Sequence, residues 1–171
     1  MKIAVTDACI FIDISELQLT SSFFSLEFDI HTSLDVFNEL YPGQQHELLA
    51  FQKSGQLTVH NIVEEDRKAI LTEDYPNALS DIDKTVLFLA AKLDAIVLSS
   101  DKRVRHYAKA RAIEYHGMLW IFDKLVDSSK ISHKEASEKL KQLVNSNIIY
   151  QNNLDLLSEM NKRLKEWQKR F

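Results

Sequence analysis

The sequence predicts an α/β fold, a central and mostly parallel sheet flanked by helices. Three observations predict it. Short apolar stretches of strand length alternate with longer stretches of helical period from the amino terminus to about residue 126. The first and the last well-marked strand-like stretches each run directly into an aspartate, at Asp7 and Asp101. Only three glycines and two prolines punctuate 171 residues, which leaves no obvious linker at which to cut the chain.

In order, the KIAVT stretch at residues 2–6 reads as a buried strand and is followed by a helix from near Ala8 through Glu16. FDIHT is a second strand followed by the helix SLDVFNEL, and LTVHNI a third, followed by a polar helix running toward Tyr75. After Pro76, Ile82, Val86, Leu89, Ala90 and Leu93 fall on one stripe of a helix. AIVLSSD is a further strand ending on an acid, and a basic helix (KRVRHYAKARA), a short strand (IEYH) and a helix through LWIFDKLV complete the alternation. Such a βαβ series implies a parallel sheet with helices on both faces. The tail from residue 127 reads as two polar amphipathic helices, HKEASEKLKQLVNS and NNLDLLSEMNKRLKEWQK, separated by the apolar patch Ile148–Tyr150. The organisation expected is therefore a domain over 1–126 and a helical extension over 127–171.

Composition excludes several classes. The single cysteine, Cys9, rules out an intrachain disulfide and a cysteine zinc cluster. No apolar stretch approaches the roughly 18 residues that a membrane span needs, and no basic segment leads an apolar core at the amino terminus, so a cytoplasmic protein without a membrane partner is expected. A formal net charge of −4 disfavours bulk adhesion to nucleic acid and shifts attention to local basic patches.

Four acids stand out as a set. Asp7 follows the first strand, Glu39 lies on the helix after the second, Asp83 opens the striped helix and Asp101 follows the later strand. In a parallel sheet the carboxyl ends of the strands share one edge, so residues distant in sequence converge there. Carboxylates meeting without matching lysines or arginines repel one another unless hard divalent cations sit between them, which favours Mg²⁺ or Mn²⁺ over zinc. Capping competes with this at each position: Asp7 suits the start of the helix at Ala8, and Asp83 can complete a capping box with Ser80. Asp81 is an alternative ligand to Asp83. Asp13 lies too far into its helix for ligation, and a solvated or partner-facing place is expected for it.

With VTDACIFIDI at the start, the acid in DVFNEL, and DKTVLFLAAKLDAIVLSSD, the sequence resembles the PIN-domain family, in particular the toxin ribonucleases of VapBC-type pairs. The resemblance covers about residues 2–126, and the longer carboxyl-terminal extension resembles that of a less characterised subgroup. It implies a PIN-like sandwich and places the family's acidic quartet on Asp7, Glu39, Asp83 and Asp101, with Mg²⁺ or Mn²⁺ as cofactor and RNA phosphodiester hydrolysis as the reaction. Asp7, Asp83 and Asp101 are then the direct ligands, and Glu39 either binds a second metal or positions water. One departure is Cys9, where many members carry Asn or Ser. A thiol is a poorer hydrogen-bond partner, which moves the expected orientation of Asp7 to Ser99 or Ser100.

Positive charge beside that mouth comes from Lys102, Arg103 and Arg105, expected to meet RNA phosphates; an ordinary solvated helix face packed through Val104, Tyr107 and Ala108 is the alternative. The resemblance further implies a cognate antitoxin and a homodimer, whose interface is expected among Trp120, Ile121, Leu125, Ile148, Ile149, Tyr150, Leu156, Leu157 and Trp167. Two other readings stay open: an RNA-processing nuclease without an antitoxin, and a non-catalytic binding or scaffold protein. Related carboxylate sites also handle other phosphoesters.

Overall fold

A computed structural model describes all residues from Met1 to Phe171. The chain runs β1 (Lys2–Thr6), α1 (Ala8–Glu16), α2 (Thr20–Phe24), β2 (Phe28–Ser33), α3 (Leu34–Glu39), α4 (Pro42–Lys53), β3 (Leu57–His60), α5 (Glu64–Thr72) and α6 (Asp81–Leu93). It continues through β4 (Ile96–Leu98), α7 (Lys102–Ala110), β5 (Tyr115–His116), α8 (Met118–Asp127), α9 (His133–Ser146), α10 (Ile148–Gln151) and α11 (Leu154–Gln168). The fold is α/β, as the alternation predicts. No helix is long and apolar enough to cross a membrane.

The five strands pair in parallel in the order β3-β2-β1-β4-β5. From β1 the chain builds outward through β2 to β3, then returns to the other side of β1 for β4 and β5. The order therefore reverses between β1 and β4, and the crevice at the carboxyl ends of two such strands is where open α/β sheets bind ligands. In register, Thr6 stands opposite Leu98, and the Asp7 N–H continues the ladder by donating to the Leu98 carbonyl at 3.1 Å. Ala4, Val5 and Ile96–Leu98 are buried, as expected of strands covered on both faces. Each large aliphatic side chain so removed from water contributes about 1.5–3 kcal/mol.

Helix starts are set by their caps. Ser33 accepts the Val36 N–H at 3.0 Å to open α3, and its hydroxyl also meets that of Thr85 on α6 at 2.8 Å. Asp94 ends α6 in the left-handed region at φ 50°, where Asn and Asp are better tolerated than other non-glycine residues. Two helices, α2 and α4, do not stand out in the sequence. TSSFF is rich in helix-indifferent serines, and α4 begins on Pro42-Gly43-Gln44-Gln45, a polar opening whose proline suits only the first turn. The apolar patch Ile148–Tyr150 forms part of the one-turn helix α10.

The chain divides into two compact units, residues 1–12 with 27–118, and residues 13–26 with 119–171. The first carries the whole sheet with α3 to α7. In the second, α9 packs on α10 and α11. Arg163 of α11 grips Asp123 of α8 through two bonds, Nε to Oδ1 at 2.8 Å and Nη2 to Oδ2 at 2.7 Å, and the Trp167 and Phe122 rings lie 6.2 Å apart.

Asp13 corrects an expectation. It is buried, and it accepts bonds from Asn147 Nδ2 and Tyr150 Oη, each at 3.3 Å. The reason is periodicity: Ile10, Asp13, Ile14 and Leu17 share one face of α1, so the carboxylate is carried inward with its apolar neighbours. Burial pushes its carboxyl up to about 6, against the two bonds that lower it.

Candidate functional site

At the switch point, Asp7 leaves β1 and caps α1, its Oδ1 accepting the Ile10 N–H at 3.2 Å. The Cys9 thiol donates to the same oxygen at 2.8 Å, and Ser99 bonds the carboxylate as well. The expectation that Cys9 would leave this task to the serines is corrected: at the second residue of the helix the thiol lies within reach, and it shares the work with Ser99. Burial pushes the Asp7 carboxyl up to about 6, the charge of Asp83 adds to that, and the three hydrogen bonds oppose it. No lysine or arginine pairs with Asp7, which leaves a desolvated carboxylate lacking a cation.

Asp83 occupies the third position of α6 and completes a reciprocal capping box: its Oδ2 accepts the Ser80 N–H and its own N–H reaches Ser80 Oγ, both at 3.0 Å. Capping and a place in the crevice are thus combined rather than exclusive. Asp101 caps α7 by accepting the Arg103 N–H at 2.8 Å, while Ser99 Oγ accepts the Asp101 N–H at 3.0 Å. The Arg103 guanidinium folds back on the same carboxylate, Nε to Oδ1 at 3.1 Å and Nη2 to Oδ2 at 2.7 Å, and its Nη1 donates to the Ala78 carbonyl at 3.2 Å. That guanidinium holds the Asp101 carboxyl below the usual carboxylate range. Glu39, the last residue of α3, is exposed.

Asp7, Glu39, Asp83 and Asp101 all line one cavity of about 330 Å³, with Ile12, Val36 and Val86 supplying apolar wall and Arg103 the one basic side chain. Asp81 does not reach it; its side chain is 98% exposed and pairs with Lys84 at 3.6 Å. Lys102 is exposed on the first turn of α7, and Arg105 lies over the Tyr115 ring, 5.3 Å from its centroid. Val104, Tyr107 and Ala108 form the buried stripe of α7.

The donor chemistry suits a hard divalent cation: four carboxylates, one of them buried without a counter-ion. In the arrangement described, no three Asp, Glu, His or Cys side chains are drawn around a single point. The caps explain this, since Asp83 is tied to Ser80 and Asp101 to Arg103. The part of Arg103 in holding Asp101 was not read from the sequence. Its signal is an arginine two residues after a helix-capping aspartate, a spacing at which the side chain can curl back on the carboxylate.

A family model for a PIN domain matches residues 3–166. No curated protein matches the sequence. Among solved structures, a domain of a functionally unknown protein from Methanocaldococcus jannaschii is 20% identical, covering 69% of this chain and 91% of that one with a TM-score of 0.48. A PilT N-terminus domain protein from Sulfolobus solfataricus is 14% identical, covering 72% and 93% respectively, with a TM-score of 0.47.

Proposed function

Because the chain belongs to the PIN-domain family, whose members are generally metal-dependent nucleases, we propose that it is an endoribonuclease hydrolysing RNA phosphodiester bonds with Mg²⁺ or Mn²⁺. The observation that carries this reading is the single cavity lined by Asp7, Glu39, Asp83 and Asp101 at the β1/β4 switch point. Asp7, Asp83 and Asp101 would hold the cation, and Glu39, exposed at the cavity's rim, would either hold a second one or orient the attacking water. The bound cation would acidify a water and offset the charge that develops on the phosphate. Asp7 is preorganised for this by Cys9, Ser99 and the start of α1, which fix its rotamer before any ligand arrives. Arg103 is the side chain within the cavity able to meet a non-bridging phosphate oxygen, and Lys102 lies beside it on the exposed first turn of α7. Arg105, held over Tyr115, would contribute from the edge of the same surface.

The finer reading is the toxin of a type II pair, acting in the cytoplasm as a homodimer and silenced by an antitoxin whose basic or extended segment covers the carboxylates. Within it, residues 1–126 form the nuclease domain and 127–171 the extension. The test is incubation of the purified chain with mixed RNA, with and without Mn²⁺ or Mg²⁺, beside Asp7→Asn. Cleavage that needs the metal and disappears in the variant supports the reading. Intact RNA in every lane, with the wild type folded and loaded, refutes it and leaves a binding or scaffold role.

A further inference from the structure

A second cavity, of about 540 Å³, lies in the sheet-bearing unit among the chain after α5, the later half of α6 and the end of α7. Its lining differs from that of the acidic cleft. Tyr75, Phe88 and Tyr107 bring three aromatic rings to it, the two tyrosines with centroids 5.0 Å apart and planes inclined by 38°. Two ion pairs flank the rings: Arg111 with Glu73 at 3.0 Å and Lys92 with Asp66 at 2.8 Å. Each cation also lies over a ring, Arg111 at 5.3 Å from the Tyr107 centroid and Lys92 at 5.9 Å from that of Phe88.

This composition selects among ligands. Each cation is already matched by a carboxylate, so the cavity has no surplus charge with which to draw a phosphate. An aliphatic anchor would cover the rings but leave the polar rim unmatched, at a cost. A flat heteroaromatic with donors and acceptors around its edge meets both demands, stacking on the rings while the carboxylates accept from its amino groups and the cations donate to its ring nitrogens and carbonyls. The cavity is also aligned with the cleft. Asp83, Leu87 and Ala91 on α6, and Arg103, Tyr107 and Arg111 along α7 and its end, follow i, i+4, i+8 ridges from one cavity to the other. At 1.5 Å per residue the step from Arg103 to Arg111 is about 12 Å, a span of a few nucleotides.

From these observations we infer that the second cavity receives an unpaired nucleobase of an RNA strand whose scissile phosphate occupies the acidic cleft. The inference rests on the nuclease reading for its substrate, but the cavity can be tested without catalysis. The probes are 2-aminopurine riboside monophosphate and a single-stranded RNA decamer carrying one 2-aminopurine, both in EDTA with the full chain. Saturable quenching of the base is expected, weakened about 5-fold or more in Tyr75→Ala and Phe88→Ala. Phe88→Leu, which keeps apolar packing without a π-face, should show the same loss. A decamer that binds by anisotropy yet is quenched equally in wild type and variants would overturn the inference. So would displacement of the nucleotide by N-acetyl-tryptophanamide at equal concentration, which would make this a pocket for a protein side chain. Ring-dependent quenching in a protein that cleaves no RNA under any metal would uphold the base site and refute only the nuclease reading.

Discussion

Arg103 lies on Asp101 through two parallel N–H to oxygen contacts, at 3.1 and 2.7 Å, so the one basic side chain in the acidic cavity is spent on one of its four acids. A guanidinium and a divalent cation compete for the same carboxylate oxygens, and the guanidinium that loses becomes free for a phosphate. The Arg103 side chain is 58% exposed and that of Asp101 25%, so water and salt reach the pair from the guanidinium side and weaken it.

Replacement Arg103→Ala should therefore separate two properties. Mn²⁺ affinity, measured by titration calorimetry, should rise about 2–5-fold because Asp101 is released. RNA affinity should fall, and its dependence on salt should become shallower by about one unit of slope. Unchanged RNA binding at every salt concentration would return α7 to an ordinary solvated helix.

Asp7→Asn should trade activity for stability. The carboxyl is buried and pushed up to about 6 from a model-peptide value of 3.8, so above pH 6 the folded state bears the cost of an ionised group that the unfolded chain holds freely in water. An amide keeps an oxygen for the Ile10 N–H and removes the charge. Urea unfolding at pH 7.5 without metal should show a gain of about 1–3 kcal/mol, while cleavage drops about 100-fold or more. A less stable variant would show that the hydrogen bonds to the carboxylate outweigh its burial.

How far the sequence reveals this molecule depends on which forces act locally. β1, α6 and β4 are legible because their apolar residues repeat at a strand or helix period, and the acids beside them follow from the parallel order. Asp13 is not legible: its polarity argues for solvent, while its place on the Ile10–Ile14 face carries it inward, and packing of that face decides. The second residue type that misleads is Cys9, whose weak donor strength matters less than its 2.8 Å approach to Asp7. The Arg103–Asp101 contact and the second cavity depend on rotamers and on helices brought side by side, which no spacing along the chain encodes.

The apolar tail yields a prediction about assembly. Ile121, Leu125, Tyr150 and Trp167 are buried within their own chain, which withdraws them from the expected interface. Ile148, Ile149 and Leu154 remain 67%, 55% and 80% exposed, close together in sequence around α10. If they form a self-complementary patch, light scattering at micromolar concentration gives the dimer mass, and Ile148→Ser with Ile149→Ser gives the monomer. A monomeric wild type at that concentration would refute the homodimer.

Asp13 gives the cleanest pH prediction, because it lies outside the acidic cavity. Its carboxyl, pushed up to about 6 mainly by burial, is ionised in the fold only above that pH, whereas the unfolded chain ionises it near 3.8. The neutral acid is the form the fold favours, so its contribution is fully present at low pH and is lost as pH rises from about 4 through 6. His60 works in the opposite direction, since burial, with help from His31 and Lys92, lowers its pKa and makes acid destabilising. That contribution is common to wild type and Asp13→Asn and cancels in their difference. Urea unfolding of both proteins at pH 7.5 should find the variant more stable by about 1–2 kcal/mol, the amide still able to accept from Tyr150 Oη or Asn147 Nδ2. At pH 5 the gap should shrink as the wild-type carboxyl takes up its proton. Parallel stability curves across this range would show that its two bonds offset burial completely, leaving its pKa unchanged by folding.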